Sequence, residues 1–155
     1  MDRVLRTTTI TDADLAELVE RMDEAAAAYI RGDIHRYLAL FEHADDYTLM
    51  PPYGGPTEHG FERTAEDLRG ISEFFAAGEA TLDVQRSYTS GDLAVLVAVE
   101  RQHGEVGGRP DQDWSLRVTL VFRRVGERWH LVHRHADPLV RRIPFDRFAE
   151  LARGD

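Results

Sequence analysis

The sequence predicts an α+β domain in which helices cover one face of a bent antiparallel sheet. Two observations carry this. Apolar residues recur at spacings of three and four up to Gly78, then at spacings of two as far as Pro138. The second half is also punctuated by short turn sequences that join strand to strand, so the helices come first and the hairpins after. With no internal repeat and no low-complexity linker, residues 1–155 read as one domain, with a core over 11–138 and a C-terminal extension over 139–155. A chain of 155 residues, 43% apolar, can bury a full core without disulfides or metal.

The elements follow in order. Leu15, Leu18, Val19, Met22, Ala26, Tyr29 and Ile30 make one helical stripe. Thr11 and Asp14 form a capping box before it, with Asp in place of Glu, and Gly32 stops it. Asp33 caps a second, shorter helix with Ile34, Tyr37, Leu38 and Phe41 on its apolar side, closing an αα-hairpin. A short strand over Tyr47 to Pro52 runs into Tyr53-Gly54-Gly55-Pro56, where the prolines exclude a central strand. Thr64 and Asp67 open a third helix that buries Leu68, Ile71 and Phe75 and ends at Gly78, with Gly70 as its weak point.

Four strands are expected next. Leu82, Val84 and Tyr88 alternate with polar residues, and Ser90-Gly91-Asp92 turns the chain. Leu93, Val95, Val97 and Val99 form a row that ends in Arg101 and His103, backed by Ala94, Leu96 and Ala98, so both faces are partly covered. After a loop from Gly104 to Asp111, Trp114, Leu116, Val118, Leu120 and Phe122 share a face, and Val125-Gly126-Glu127-Arg128 leads to the last strand. Pro144, Phe145, Phe148 and Leu151 suggest a short C-terminal helix that packs on the body or on a partner subunit.

Composition removes several functions. All 19 basic residues are arginine and there is no cysteine, so neither a Schiff-base lysine nor a thiolate nucleophile is available. A net charge of −9 repels phosphate backbones, which argues against nucleic acid as a partner. There is no apolar run of the ~18 residues a membrane span needs, nor of the ~7–15 a leader needs near the N-terminus, so a cytoplasmic protein without a membrane partner is expected.

Two helices broken at Gly32-Asp33, a third after a Gly/Pro loop, and strands ending in W-x-x-V-H-x-H (Trp129 to His135) resemble the nuclear transport factor 2-like superfamily over roughly residues 11–138. The pattern R-x-T-L-V-x-R-R (Arg117 to Arg124) before GERWHLVHRHADP resembles its SnoaL-like, ketosteroid-isomerase-like bacterial branch. It is also similar to the association domain of calcium/calmodulin-dependent protein kinase II. The resemblance implies a cystatin-like cone: three helices on a strongly curved antiparallel sheet, here with a short C-terminal helix added. It further implies a pocket at the open end and a homodimer formed through the sheet. Members include isomerases, dehydratases, hydrolases, cyclases and non-catalytic assembly modules, so fold alone does not choose a function.

Three kinds of site are compatible with the residues. His133 and His135, two apart, point to one face of a strand, and His103 or Asp137 could complete a metal site, although the spacing matches no known metal motif and no metal is expected. Acid/base chemistry needs a proton carrier and a hydrogen-bond donor, for which His133 or His135 and Tyr37 are the candidates. The base of the isomerase family would fall in MPPYGGPTEHG, which has no Asp; Glu58 or His59 could stand in, or be solvated loop residues. For anion recognition of the association-domain kind, the tyrosine of G-D-x-x-x-Y matches Tyr37. The family's arginines fall on Val99, Leu120 and Ala136, which leaves Arg101 as the available guanidinium.

Tyr29, Met50 and Trp114 complete the expected ligand wall, although aromatic residues at such positions also serve as plain core. The expected ligand is a small, largely apolar or weakly anionic molecule, handled without a cofactor. The alternative is a non-catalytic dimerisation or binding module. Strand parity puts Trp129, Leu131, His133 and His135 on the pocket face, and a single β-bulge would exchange the sets.

Overall fold

Thr11 opens the chain's longest helix with a reciprocal cap: its amide donates to Asp14 Oδ2 at 2.9 Å and its Oγ1 accepts from the Asp14 amide at 3.1 Å. This is helix α1, Asp12–Ile30, in a computed structural model that describes residues 9–154. Residues 1–8 and 155 lie outside the described residues. Helix α1 ends in a Schellman turn, Gly32 N–H bonding Tyr29 O and Asp33 N–H bonding Ala28 O, with Gly32 at φ +82°. Asp33 then caps α2, Ile34–Leu40, by accepting from the Arg36 amide.

Strand β1, Glu42–Met50, is nine residues long and begins well before Tyr47. Its first half, EHADD, has no alternation, yet ion pairs across the edge hold it: Arg128 to Glu42 at 2.5 Å and Arg123 to Asp46 at 3.2 Å. After β2, Glu58–His59, the capping box of Thr64 and Asp67 opens α3, Ala65–Phe74. The helix does not reach Gly78, because β3, Phe75–Ser90, starts at Phe75. Gly78 is instead part of a bulge, and a Cβ there would stand 2.5 Å from Ile30 O and 2.9 Å from His103 O. That close backbone approach, rather than a helix end, is what requires glycine.

The remaining strands are β4, Leu93–Val106; β5, Gln112–Asp113; β6, Leu116–Val125; and β7, Arg128–Pro138. Helix α4, Phe145–Arg153, follows. The path through the sheet is β2-β1-β7-β6-β4-β3, with β5 paired to β4. This corrects the expected architecture. The described residues form four helices, the fourth being the expected short C-terminal one, and an open, mixed sheet of seven strands in place of a strongly curved antiparallel cone. Strand β1 runs parallel to β7, and the edge strands β2 and β3 do not meet. Nor do three helices pack into the sheet: α1 and α2 bury residues there, whereas α3 and α4 bury none.

Between α1 and the sheet lies the core. Leu18, Met22 and Ala25 face Leu96, Leu120, Phe122, Trp129 and Leu131, all under 5% exposed. Burying such side chains contributes ~1.5–3 kcal/mol each for the larger ones, which is what fixes the helix layer on this face.

Candidate ligand pocket

The face of β7 that meets the helices is decided by a bulge. Phe122 pairs with Leu131 but Val121 pairs with His133, so Val132 is an extra residue. Trp129 and Leu131 point inward before it. After it the parity changes: Arg134 and Ala136 pair with inward-facing Leu120 and Val118, while His133 and His135 take the outer face opposite Val121 and Thr119.

On β4 the inward row is Ala94, Leu96, Ala98, Glu100 and Gln102, each under 9% exposed. Glu100, a carboxylate in a row of small apolar side chains, would be costly to bury alone. Arg134 meets it with two bonds, Nη1 to Oε1 at 2.6 Å and Nη2 to Oε2 at 3.0 Å. Burial works against the Arg134 charge, but the adjacent Glu100 overrides it and raises the guanidinium further above its ordinary range.

This pair sits in the wall of a cavity of about 250 Å³. Helices α1 and α2 contribute Met22, Tyr29 and Tyr37; β1 and the following loop add Tyr47, Leu49 and Pro51 to Tyr53; Phe61, Arg63, Ile71, Phe74 and Phe75 close another side. Trp114, Leu116 and Leu131 complete the sheet side. Tyr37 packs edge-on to Tyr29 and Phe41, with centroids 5.0 Å apart in both cases. Burial raises the hydroxyls of Tyr29, Tyr37 and Tyr47, the last to about 12, so each of these is a protonated donor at neutral pH. Both Glu100 oxygens are taken by Arg134, which leaves donors in excess at the polar end of an apolar chamber.

Behind this wall His43 stacks on Phe61, centroids 3.6 Å apart and planes 5° from parallel. Burial, aided by Arg63, pushes its pKa down to about 4, and its Nε2 is buried without a hydrogen-bond partner among the described residues.

Of the residues expected at the site, Tyr29, Tyr37 and Trp114 line the cavity. The others lie elsewhere. His133 Nδ1 shares a 2.8 Å hydrogen bond with Thr48 on the outer face, and His135 lies 3.4 Å from Asp137. Val99, Arg101 and His103 belong to the outward row of β4, where Arg101 pairs with Asp83 at 3.0 Å and His103 with Asp111 at 2.8 Å. The Asp111 hydrogen bond raises the His103 pKa. Leu120 is fully buried core, while Met50 and His59 are exposed near the sheet edge. Among the described residues, no three His, Asp or Glu side chains converge as metal ligands would.

Glu100, Arg134 and Tyr47 were not among the expected residues. The signal for Glu100 was present, a lone carboxylate ending the row of Ala94, Leu96 and Ala98. Arg134 could be found only by knowing where the bulge falls.

The SnoaL-like domain family model matches residues 18–140. The chain belongs to the SnoaL-like domain family. No curated protein matches the sequence. Among solved structures, this SnoaL-like chain is similar to a protein of the nuclear transport factor 2-like family from Streptomyces avermitilis, provisionally assigned as a dehydratase. The identity is 25%, with a TM-score of 0.60, covering 79% of this chain and 96% of that one. It is also similar in fold to the calcium/calmodulin-dependent protein kinase II hub homology domain of Chlamydomonas reinhardtii: 19% identity, TM-score 0.62, 81% and 98% covered. The association domain of the same kinase from C. elegans compares at 17% identity and TM-score 0.60, with 81% and 95% covered.

Proposed function

We propose that this SnoaL-like domain binds a small, largely apolar molecule whose single polar end is a carbonyl or carboxylate oxygen. The observation that carries the reading is one ion pair, Glu100 with Arg134, among tyrosines in a largely apolar cavity of about 250 Å³ whose other polar lining residues are Arg63 and Gln102. Ligand sites are commonly apolar chambers with a few well-placed polar groups. The hydroxyls of Tyr29, Tyr37 and Tyr47 and the remaining N–H groups of Arg134 supply donors here. A ligand oxygen would be held between them, with Glu100 fixing the guanidinium plane.

Cofactor-independent acid/base chemistry of the dehydratase or isomerase kind would use the same groups. Tyr37 would donate to a developing oxyanion, and Glu100, the one carboxylate among the described residues that line the cavity, would take a proton on giving up one of its two bonds to Arg134. Native mass spectrometry of protein purified from its host tests the binding reading. A co-purifying small molecule retained by the wild type and lost from Tyr37→Phe supports it; equal retention by that variant removes Tyr37 from the site.

A second reading is favoured by a different face. Val95, Val97, Val99 and Val121 lie together on the outer side of β4 and β6, only partly covered. An apolar sheet face of this kind suits a homodimer, as in the association domains. Light scattering of the wild type against Val97→Glu tests it, with a dimer expected to become a monomer.

A further inference from the structure

Helix α4 carries an apolar stripe, Phe145, Phe148 and Leu151, that the other described residues leave largely uncovered; the three are 79%, 61% and 52% exposed. Its other flank is charged, with Arg147 and Glu150 paired at 3.0 Å. Stripes of this kind on short helices are held by packing, since nine residues are too few to sustain a helix alone in water.

A second uncovered apolar surface lies at the rim of the ligand cavity. Tyr53 and Phe74 line that cavity and are nevertheless 83% and 49% exposed. The chain leaves the sheet at the same end as Tyr53: Met50 lies opposite His135 in the parallel pair of β1 and β7, three residues before Tyr53 on one strand and before Pro138 on the other. Leu139 N–H bonds Ser115 O at 2.9 Å, next to Trp114 in the cavity wall, and from there residues 139–144 run without helix or strand to α4.

We infer that α4 is a lid that closes over the mouth of its own chain's cavity, seating Phe145 and Phe148 against Tyr53 and Phe74. Reach permits it. Six residues span up to about 20 Å when extended, whereas a sphere of 250 Å³ is only about 8 Å across. Tethering decides between this mouth and that of a second copy: a short linker holds the helix at an effective concentration in the millimolar range, above that of any free partner. This inference rests on the cavity's being a ligand site, and the two are tested separately.

The chain contains no cysteine, so an introduced pair reports without background. In the full-length protein carrying Tyr53→Cys and Phe148→Cys, mild oxidation is expected to give a disulfide within one chain. It should form faster than in the control with Tyr53→Cys and Glu150→Cys, whose second thiol is on the far flank of α4. No faster coupling than the control, or a covalent dimer on a non-reducing gel, overturns the lid. Independently, 1-anilinonaphthalene-8-sulfonate, an apolar dye with one anionic group, is titrated into wild type and into Phe145→Glu/Phe148→Glu. These two side chains are exposed, so the fold is kept. About tenfold weaker binding with faster release supports the lid, and wild-type affinity and release rate overturn it. Failure of the wild type to take up the dye would count against the ligand reading alone, because the disulfide still decides the lid.

Discussion

Arg134 and Glu100 lie 34 residues apart in sequence and meet through two hydrogen bonds, at 2.6 and 3.0 Å, on the inner face of the sheet, reaching from β7 to β4 across the intervening β6. The pair is buried, Glu100 retaining 6% of its side-chain surface and Arg134 20%. A pair of this kind adds little over a well-packed apolar equivalent, yet is expensive to break. Arg134→Met alone leaves a buried carboxylate and is expected to destabilise by about 3–5 kcal/mol in urea unfolding. Glu100→Leu combined with Arg134→Met is expected to recover most of that loss. If the single and double variants are equally unstable, the pair is not the source of the cost.

The bulge at Val132 makes a prediction about neighbours. His133 faces outward and Arg134 inward, so thiol labelling should distinguish His133→Cys from Arg134→Cys in this cysteine-free chain. The first should react at least about tenfold faster, since accessibility governs thiol reactivity. Equal rates would mean that the strand has no fixed parity here.

His43 gives a pH dependence of known sign. Its pKa is pushed down to about 4 in the fold, against about 6.5 for an unfolded histidine. The unfolded chain therefore binds a proton first as pH falls. The stabilisation is complete above about pH 6.5 and is lost progressively toward pH 4, on the order of 2 kcal/mol for a partly exposed ring. His43→Phe keeps the stack on Phe61 and should remove this component. Parallel stability curves for the two proteins between pH 7 and pH 4.5 would contradict it.

Gly32 sits at φ +82°, and a Cβ there would collide with the carbonyl oxygens of Phe75 and Ser72. The same turn accepts a 2.6 Å hydrogen bond from Ser72 Oγ to Gly32 O. Gly32→Ala therefore combines left-handed strain with a backbone clash and is expected to cost about 2 kcal/mol or more. Ser72→Ala should cost less, about 1 kcal/mol. Thermal unfolding ranks them.

Local chemistry made the helices legible. Thr11 with Asp14 and Thr64 with Asp67 are caps written in adjacent residues, and Gly32-Asp33 is a turn that needs no distant partner. The alternation of Trp114 to Phe122 likewise marked the inner face of β6, as Leu116, Val118, Leu120 and Phe122 are all buried. Sheet architecture was less accessible, because the parallel pairing of β1 with β7 joins segments some 85 residues apart and the first half of β1, EHADD, carries no apolar alternation.

The site was half legible for a related reason. Tyr29 and Tyr37 lie on helical stripes that must face the sheet, and they line the cavity. Residues on strands inherit their face from every residue before them, so one extra residue at Val132 sent His133 and His135 outward and brought Arg134 in. On β4, where both faces are partly apolar, the row of larger side chains through Val99 and Arg101 proved to be the outer one. Size alone does not identify the inner face, because small residues such as Ala94 and Ala98 let α1 approach closely.

The central claim, that ligand binding belongs to the inner face with Arg134 rather than to the outer histidines, is tested most directly by one titration. 1-Anilinonaphthalene-8-sulfonate is added to wild type, to His133→Ala, and to Glu100→Leu/Arg134→Met, the last chosen because removing both charges together is expected to keep the fold. An affinity unchanged in His133→Ala and lowered about tenfold or more in the double variant is the predicted result; the reverse pattern, or an unchanged affinity in both, would contradict it.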